Sequence, residues 1–202
     1  MGLLKATKKA VPDVQIMVMI RPRTGDFVYS DLELETMVED IKLFKQEKVA
    51  GVVLGVLRAD GTVDTKTTQR LVDVAKPLQV CFHRAFDMTR DPMEALTHIA
   101  SIGGITRILT SGHGRTVPES LQTLSSIASK ALILQPPITI LPGSGINVNT
   151  ARSVANCEWW KEFREIHLSA GNWVDGPMQF RKEDMGMGLV GSEDALQVER
   201  SI

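Results

Sequence analysis

Two short segments, Arg21-Pro22-Arg23-Thr24-Gly25-Asp26-Phe27 and Phe82-His83-Arg84-Ala85-Phe86-Asp87, set guanidinium, imidazole and carboxylate groups directly after apolar, β-branched runs. The carboxyl ends of parallel strands are where α/β proteins bind ligands, and a packed core has no need of such groups. His83, Arg84 and Asp87 are therefore the candidate catalytic set, with the imidazole as general acid or base. A guanidinium does not shed its proton, so Arg21, Arg23 and Arg84 each call for a carboxylate or an anionic ligand. Asp26 and Asp87 are the nearby carboxylates. An ion-pair network that only fixes the loops fits these residues as well as an anion site does. Thr110-Ser111-Gly112 and Leu141-Pro142-Gly143-Ser144-Gly145 add backbone amides after two later apolar runs. Ser111, Gly112, Gly143 and Gly145 thus join Arg21 and Arg23 as candidate anion-binding residues, and tight turns are the plainer reading of the glycines.

A second chemistry is written in the sulfurs. Strand residues two apart share a face, so Cys81 lies beneath His83, Met19 and Met17 lie beneath Arg21, and His167 shares a face with Ser169. Thiolate, thioether and imidazole are the ligands of a soft ion such as Cu(I), which makes Cys81, His83 and His167 the candidate metal set. Met and free Cys also fill cores, and packed barrel layers account for the same residues. His113, in a loop beside glycines, reads as solvated. No lysine stands at a strand end, which argues against Schiff-base chemistry. No glutamate does either, so a glycosidase pair would fall to Asp26 and Asp87.

These residues need strands and helices in alternation, and the pattern supplies them. Strands are expected over residues 14–20, 49–57, 78–82, 105–109, 138–141 and 165–170, with a weak candidate at 195–200. Ser30-Asp31-Leu32-Glu33 is a capping box, and Leu34, Met37, Ile41 and Phe44 behind it recur at helical spacing. Asp64 caps a helix that Pro77 stops. Asp91-Pro92-Met93-Glu94 opens another that ends at Gly103-Gly104. A helix over 118–130 follows, then one capped by Asn147 or Asn149. The strand-to-strand interval of roughly 30 residues is one β/α unit, so the fold class is α/β with a parallel sheet. A β/α barrel and an open, doubly wound sheet both fit this count. No G-x-G-x-x-G follows the first strand to favour the latter.

At 202 residues and 43% hydrophobic content the chain suits one domain, residues 1–202, with 1–13 and 171–202 weakly structured. A net charge of −1 without basic blocks counts against nucleic-acid binding. Two cysteines, Cys81 and Cys157, are no disulfide framework and point to a reducing compartment. No apolar run reaches the ~20 residues of a membrane span. The amino terminus lacks a secretory apolar region, and Ala6 breaks the myristoylation pattern. The expected location is cytoplasmic.

Five segments in order resemble the CutC family, assigned to copper homeostasis. They are residues 21–30, 51–57, 82–88, Leu109-Thr110-Ser111-Gly112 and Leu141-Pro142-Gly143-Ser144-Gly145-Ile146. The resemblance implies a TIM-barrel-like fold, copper as the ion handled, a cytoplasmic setting and a homo-oligomer. Relative to that family the chain lacks an opening β/α unit, which carries cysteines of the kind proposed for copper, and a closing helix. It reads as a barrel incomplete at the amino terminus, a truncated or spliced form. Two functions follow as expectations. One is binding or trafficking of Cu(I). The other is enzymatic action on a small anionic or phosphorylated metabolite, with Arg21 and Arg84 holding the anion. A non-catalytic, oligomer-forming scaffold is a third.

Overall fold

Each strand of the main sheet after the first pairs with the one before it, as short β/α units with right-handed connections require. A computed structural model describes residues 1–156, 163, 165–169, 171–175, 177 and 197–201. Its main sheet is β1 (Met17–Met19), β2 (Gly51–Leu54), β3 (Gln79–Phe82), β4 (Ile105–Thr110) and β5 (Thr139–Pro142), in that order and all parallel. A doubly wound sheet reverses strand order at a switch point, and no reversal occurs here. The open-sheet alternative is thereby set aside. The order is that of a barrel wall, whose helices follow one another along the outside. α2 (Asp31–Gln46), α3 (Thr65–Ala75), α4 (Pro92–Ile102) and α5 (Leu121–Leu132) do so, each touching the next.

The core lies between that helical layer and one face of the sheet. Val52, Leu54, Val80, Phe82, Ile108 and Ile140 alternate along the strands and meet Met37, Ile41, Leu71, Leu96, Ile99 and Ile127 from the helices. The other strand face holds Met19, Val53 and Cys81 in one register row, with Arg107 beside Cys81. The pattern of the strands therefore fixes which side chains line the concave interior.

Local signals set the helix starts. Ser30 Oγ accepts from the Glu33 amide, and Glu33 returns the bond to the Ser30 amide at 2.7 Å, closing the expected box. Asp64 caps α3 through the Thr67 amide at 3.0 Å, and Asp91 caps α4 through Glu94 at 2.7 Å, with Pro92 in the first turn. Replacing Asp91 by Ala orphans that amide and is expected to lower stability by about 1 kcal/mol. Thermal unfolding with an unchanged helical spectrum checks it.

Three local expectations change. Residues 1–13 were expected to be weakly structured, yet α1 spans Gly2–Ala10. Its Leu, Ala and Lys are good helix formers, Leu4 is buried, and Lys8 donates to the Glu47 carbonyl. α6 (Ala151–Ala155) starts after Thr150, not after a capping asparagine. The Asn147 carboxamide instead accepts from the amides of Asn149 and Thr150, forming a turn before the helix. Of the segment expected as a sixth strand, 165–170, the described residues 165–169 make one parallel bridge, His167 to Gly143, rather than a ladder. Within the carboxyl-terminal region, β6 (Gly171–Asp175) pairs antiparallel with β7 (Gln197–Ser201), the latter overlapping the weak candidate at 195–200. Cys157 falls outside the described residues.

Candidate functional site

Parallel strands end at one rim, and the chain spends its polar residues there. Arg21 follows β1, His83 follows β3, Ser111 follows β4, and Gly143 follows β5 with His167 bridged to it. A cleft of about 910 Å³ opens at the ends of β1, β2 and β3, lined by Arg21, Arg58, Arg84, Asp26, Phe27 and Asp87 among others. Arg58 was not singled out in the sequence, because the strand pattern there runs through Leu57 and hides where the loop begins. It stands on a tight hairpin: Leu57 bridges Val63, and the Asp60 carboxylate accepts from the Thr62 amide at 3.0 Å.

Asp87 is the organising group of the rim. Its carboxylate is 5% exposed and accepts from Arg84 Nε at 2.7 Å. It also accepts from the Ser111 amide at 3.0 Å, the His113 amide at 3.2 Å and the Thr110 hydroxyl. Arg84 Nη2 reaches Ser111 Oγ at 3.0 Å. Thr110 Oγ1 in turn accepts from the Gly112 amide at 2.9 Å. The amides of Ser111 and Gly112 are thus both taken by protein acceptors, and Asp87 is a buried anchor for the loop after β4. The Gly143 amide donates to the Thr110 carbonyl at 2.9 Å and continues the sheet. Gly145 lies against Thr116, which a Cβ there would meet at 2.7 Å.

Arg23 turns away from the cleft. Its guanidinium donates to Glu33 at 2.5 Å, Asp26 Oδ1 at 2.9 Å and the Val28 carbonyl at 2.7 Å, tying the loop to the first turn of α2. The bond from Arg23 holds the Asp26 carboxyl below its ordinary value. Arg21 behaves differently. It donates to the Gly25 carbonyl at 2.7 Å and lies 4.5 Å over the Phe27 ring, with no ion pair among the described residues.

His83 sits one layer below. It is 3% exposed, its ring packs 5.0 Å from Phe27, and a Cβ at Gly55 would meet Nδ1 at 2.7 Å. Only glycine leaves room for the imidazole there. Nδ1 accepts from the Ala85 amide at 3.2 Å, so the neutral ring carries its proton on Nε2. Nε2 is buried and has no partner among the described residues. Burial, with Arg21 adding its charge, pushes the His83 pKa down to about 4. His113 is packed rather than solvated. Its Nε2 lies 3.1 Å from Thr89 Oγ1, and its ring meets Phe86 edge-on at 5.2 Å.

The expected metal trio is not brought together. Cys81 is buried and bonds weakly to the Phe82 carbonyl at 3.6 Å, while burial pushes its thiol up to about 12. His167 is exposed beside Gly143, three strands from His83, or about 14 Å along a sheet with ~4.8 Å between strands. Among the described residues no group of three His, Cys, Asp or Glu side chains is placed to hold a metal ion. A thioether is also a soft ligand, and Met19, 52% exposed, stays on the concave face in the row of Cys81. No described helix is long and apolar enough to cross a membrane.

Comparison with known proteins places this rim in context. The family model described as the CutC family matches residues 1–172. The chain is 38% identical to a copper homeostasis protein cutC homolog of Dictyostelium discoideum, over 93% of this chain and 74% of the relative. It is 39% identical to the Homo sapiens copper homeostasis protein cutC homolog, over 98% of this chain and 70% of the relative. The crystal structure of CutC from Streptococcus agalactiae superposes with a TM-score of 0.73 at 28% identity, covering 82% of this chain and 79% of that one. The fold is accordingly α/β and TIM-barrel-like, and the chain belongs to the CutC family.

Proposed function

We propose that this protein serves copper homeostasis in the cytoplasm by binding and passing on Cu(I) through sulfur on its concave face. The relatives' names supply the metal. The observation that carries the reading for this chain is the register row Met19–Val53–Cys81, with Met17 one step lower on the same face. Cu(I) favours thiolate and thioether, and a flexible Met side chain from β1 can close on a thiolate of β3 across Val53. The Cys81 thiol is neutral when the site is empty, beside an Arg107 whose charge is matched by Glu165, and the metal supplies the charge that expels the thiol proton. His83 is a poor ligand in this arrangement, because its one lone pair is given to the Ala85 amide.

Titration of Cu(I) against a competing chelator, followed on the purified protein, tests the proposal. The wild type is expected to take up Cu(I), and Cys81→Ser to lose it with the fold intact by circular dichroism. Met19→Leu is expected to weaken binding without abolishing it. Unchanged affinity and stoichiometry in both variants would remove the concave face from copper handling. Copper measured by mass spectrometry on protein from its own cytosol tests location and cargo together.

A further inference from the structure

The cleft at the rim carries more positive charge than the protein itself uses. Of its carboxylates, Asp87 is spent on Arg84 and the loop after β4, and Asp26 on Arg23 and the Val28 amide. Arg21 and Arg58 also line the cleft, and neither forms an ion pair among the described residues. Asp60, the carboxylate nearest in sequence to Arg58, is hydrogen-bonded by Thr62, lies 3.9 Å from Arg90, and feels the Arg58 charge without an ion-pair contact to it. Two arginines therefore line one cavity, each on a backbone that something else makes rigid. The Arg23 bonds fix the loop bearing Arg21, and the hairpin at Leu57 and Val63 fixes Arg58.

An independent observation lies beneath them. Arg21 covers Phe27, and Phe27 covers His83, so the three are layered from the cleft toward the interior. The Nε2–H of His83 is a buried donor with no acceptor among the described residues, which is an unfavourable state for a folded protein to retain. Copper does not use that proton in the reading above. A hydrogen-bond acceptor entering from the cleft would.

We infer that this cleft binds a small organic oxyanion with an apolar body, its acidic group held between Arg21 and Arg58 and one of its acceptor oxygens taking the Nε2–H of His83 when the Phe27 ring turns aside. The guanidiniums supply forked donors suited to carboxylate or phosphate oxygens. Phe27, Leu57 and Met88 supply the apolar wall, and Met88 is 67% exposed and free to close over it. The site lies one layer above the sulfur row and uses none of the residues assigned there to copper, so it stands whether or not copper binds.

Calorimetric titration with phenyl phosphate and with inorganic phosphate tests it, alongside proton NMR of the histidine Nε2–H resonance assigned to His83. Phenyl phosphate is expected to bind more tightly than phosphate. Arg58→Ala and Arg21→Ala are each expected to weaken it about tenfold or more, with unfolding curves like the wild type. The His83 Nε2–H resonance is expected to move downfield on saturation, reporting a new hydrogen bond that a remote surface site would not produce. Failure of phenyl phosphate to bind at millimolar concentration overturns the proposal. So does binding that both arginine variants retain, or saturation that leaves the His83 resonance in place.

Discussion

Asp87→Ala is expected to lower the free energy of unfolding by about 3–5 kcal/mol, as removal of one partner from a buried ionic network does. The carboxylate accepts from Arg84, from the Ser111 and His113 amides and from the Thr110 hydroxyl, in a site where it is itself 5% exposed. Alanine would leave these donors without an acceptor, in a space too buried for water to replace it freely. Arg84→Ala is the informative companion. The Arg84 side chain is 42% exposed, so losing its ion pair costs at most about 1 kcal/mol. A large loss in the first variant with a small loss in the second would show that loop amides, rather than the ion pair, make Asp87 indispensable. Urea unfolding of both measures it, and a loss below about 1 kcal/mol for Asp87→Ala would contradict the anchoring role.

That anchoring role explains why part of the rim was legible in the sequence and part was not. Ser30 with Glu33, and Asp91 with Pro92, act within one turn of their own helix, so spacing alone reveals their partners. The alternating apolar pattern likewise fixes which face of β3 carries Cys81 and His83. Arg84 and Asp87 are three apart, and their pairing was legible as one of two readings. What spacing does not encode is that Asp87 also reaches across to residues 110–113 on the next strand's loop. The amides of Ser111 and Gly112 look free in a sequence and are consumed in the fold. His113 follows the same logic: its neighbours are Thr89 and Phe86, from the preceding β/α connection. Arg58 is the reverse case. It is plain in the composition but reaches the cleft only because the hairpin at 57–63 turns it there. Separation of His167 from His83 is also a tertiary fact, set by the number of strands between them.

The imidazole that the sequence put forward as an acid–base group has its largest expected effect on folding. Folded His83 titrates at about 4, against 6.5 for an ordinary imidazole, because burial disfavours the cation and Arg21 repels it. Between these two values the unfolded chain binds a proton that the folded chain refuses. Stability from this residue is therefore complete above pH 6.5 and is lost as pH falls toward 4. At about 1.4 kcal/mol for each unit of separation, the full loss is about 3 kcal/mol. His83→Gln removes the titration while leaving an acceptor within reach of the Ala85 amide. Its stability at neutral pH falls for packing reasons, so the comparison that matters is the slope. Carboxylates held low by their partners, Asp26, Glu33 and Glu165 among them, destabilise both proteins alike as acid protonates them. Denaturant unfolding from about pH 7 to about pH 4.5 should show the wild type losing about 2–3 kcal/mol more than the variant. Parallel curves would mean that the ring reaches solvent in the folded protein. The layered packing of Arg21, Phe27 and His83 would then have to be open at rest, whereas unequal slopes require Phe27 to cover the imidazole until something displaces it.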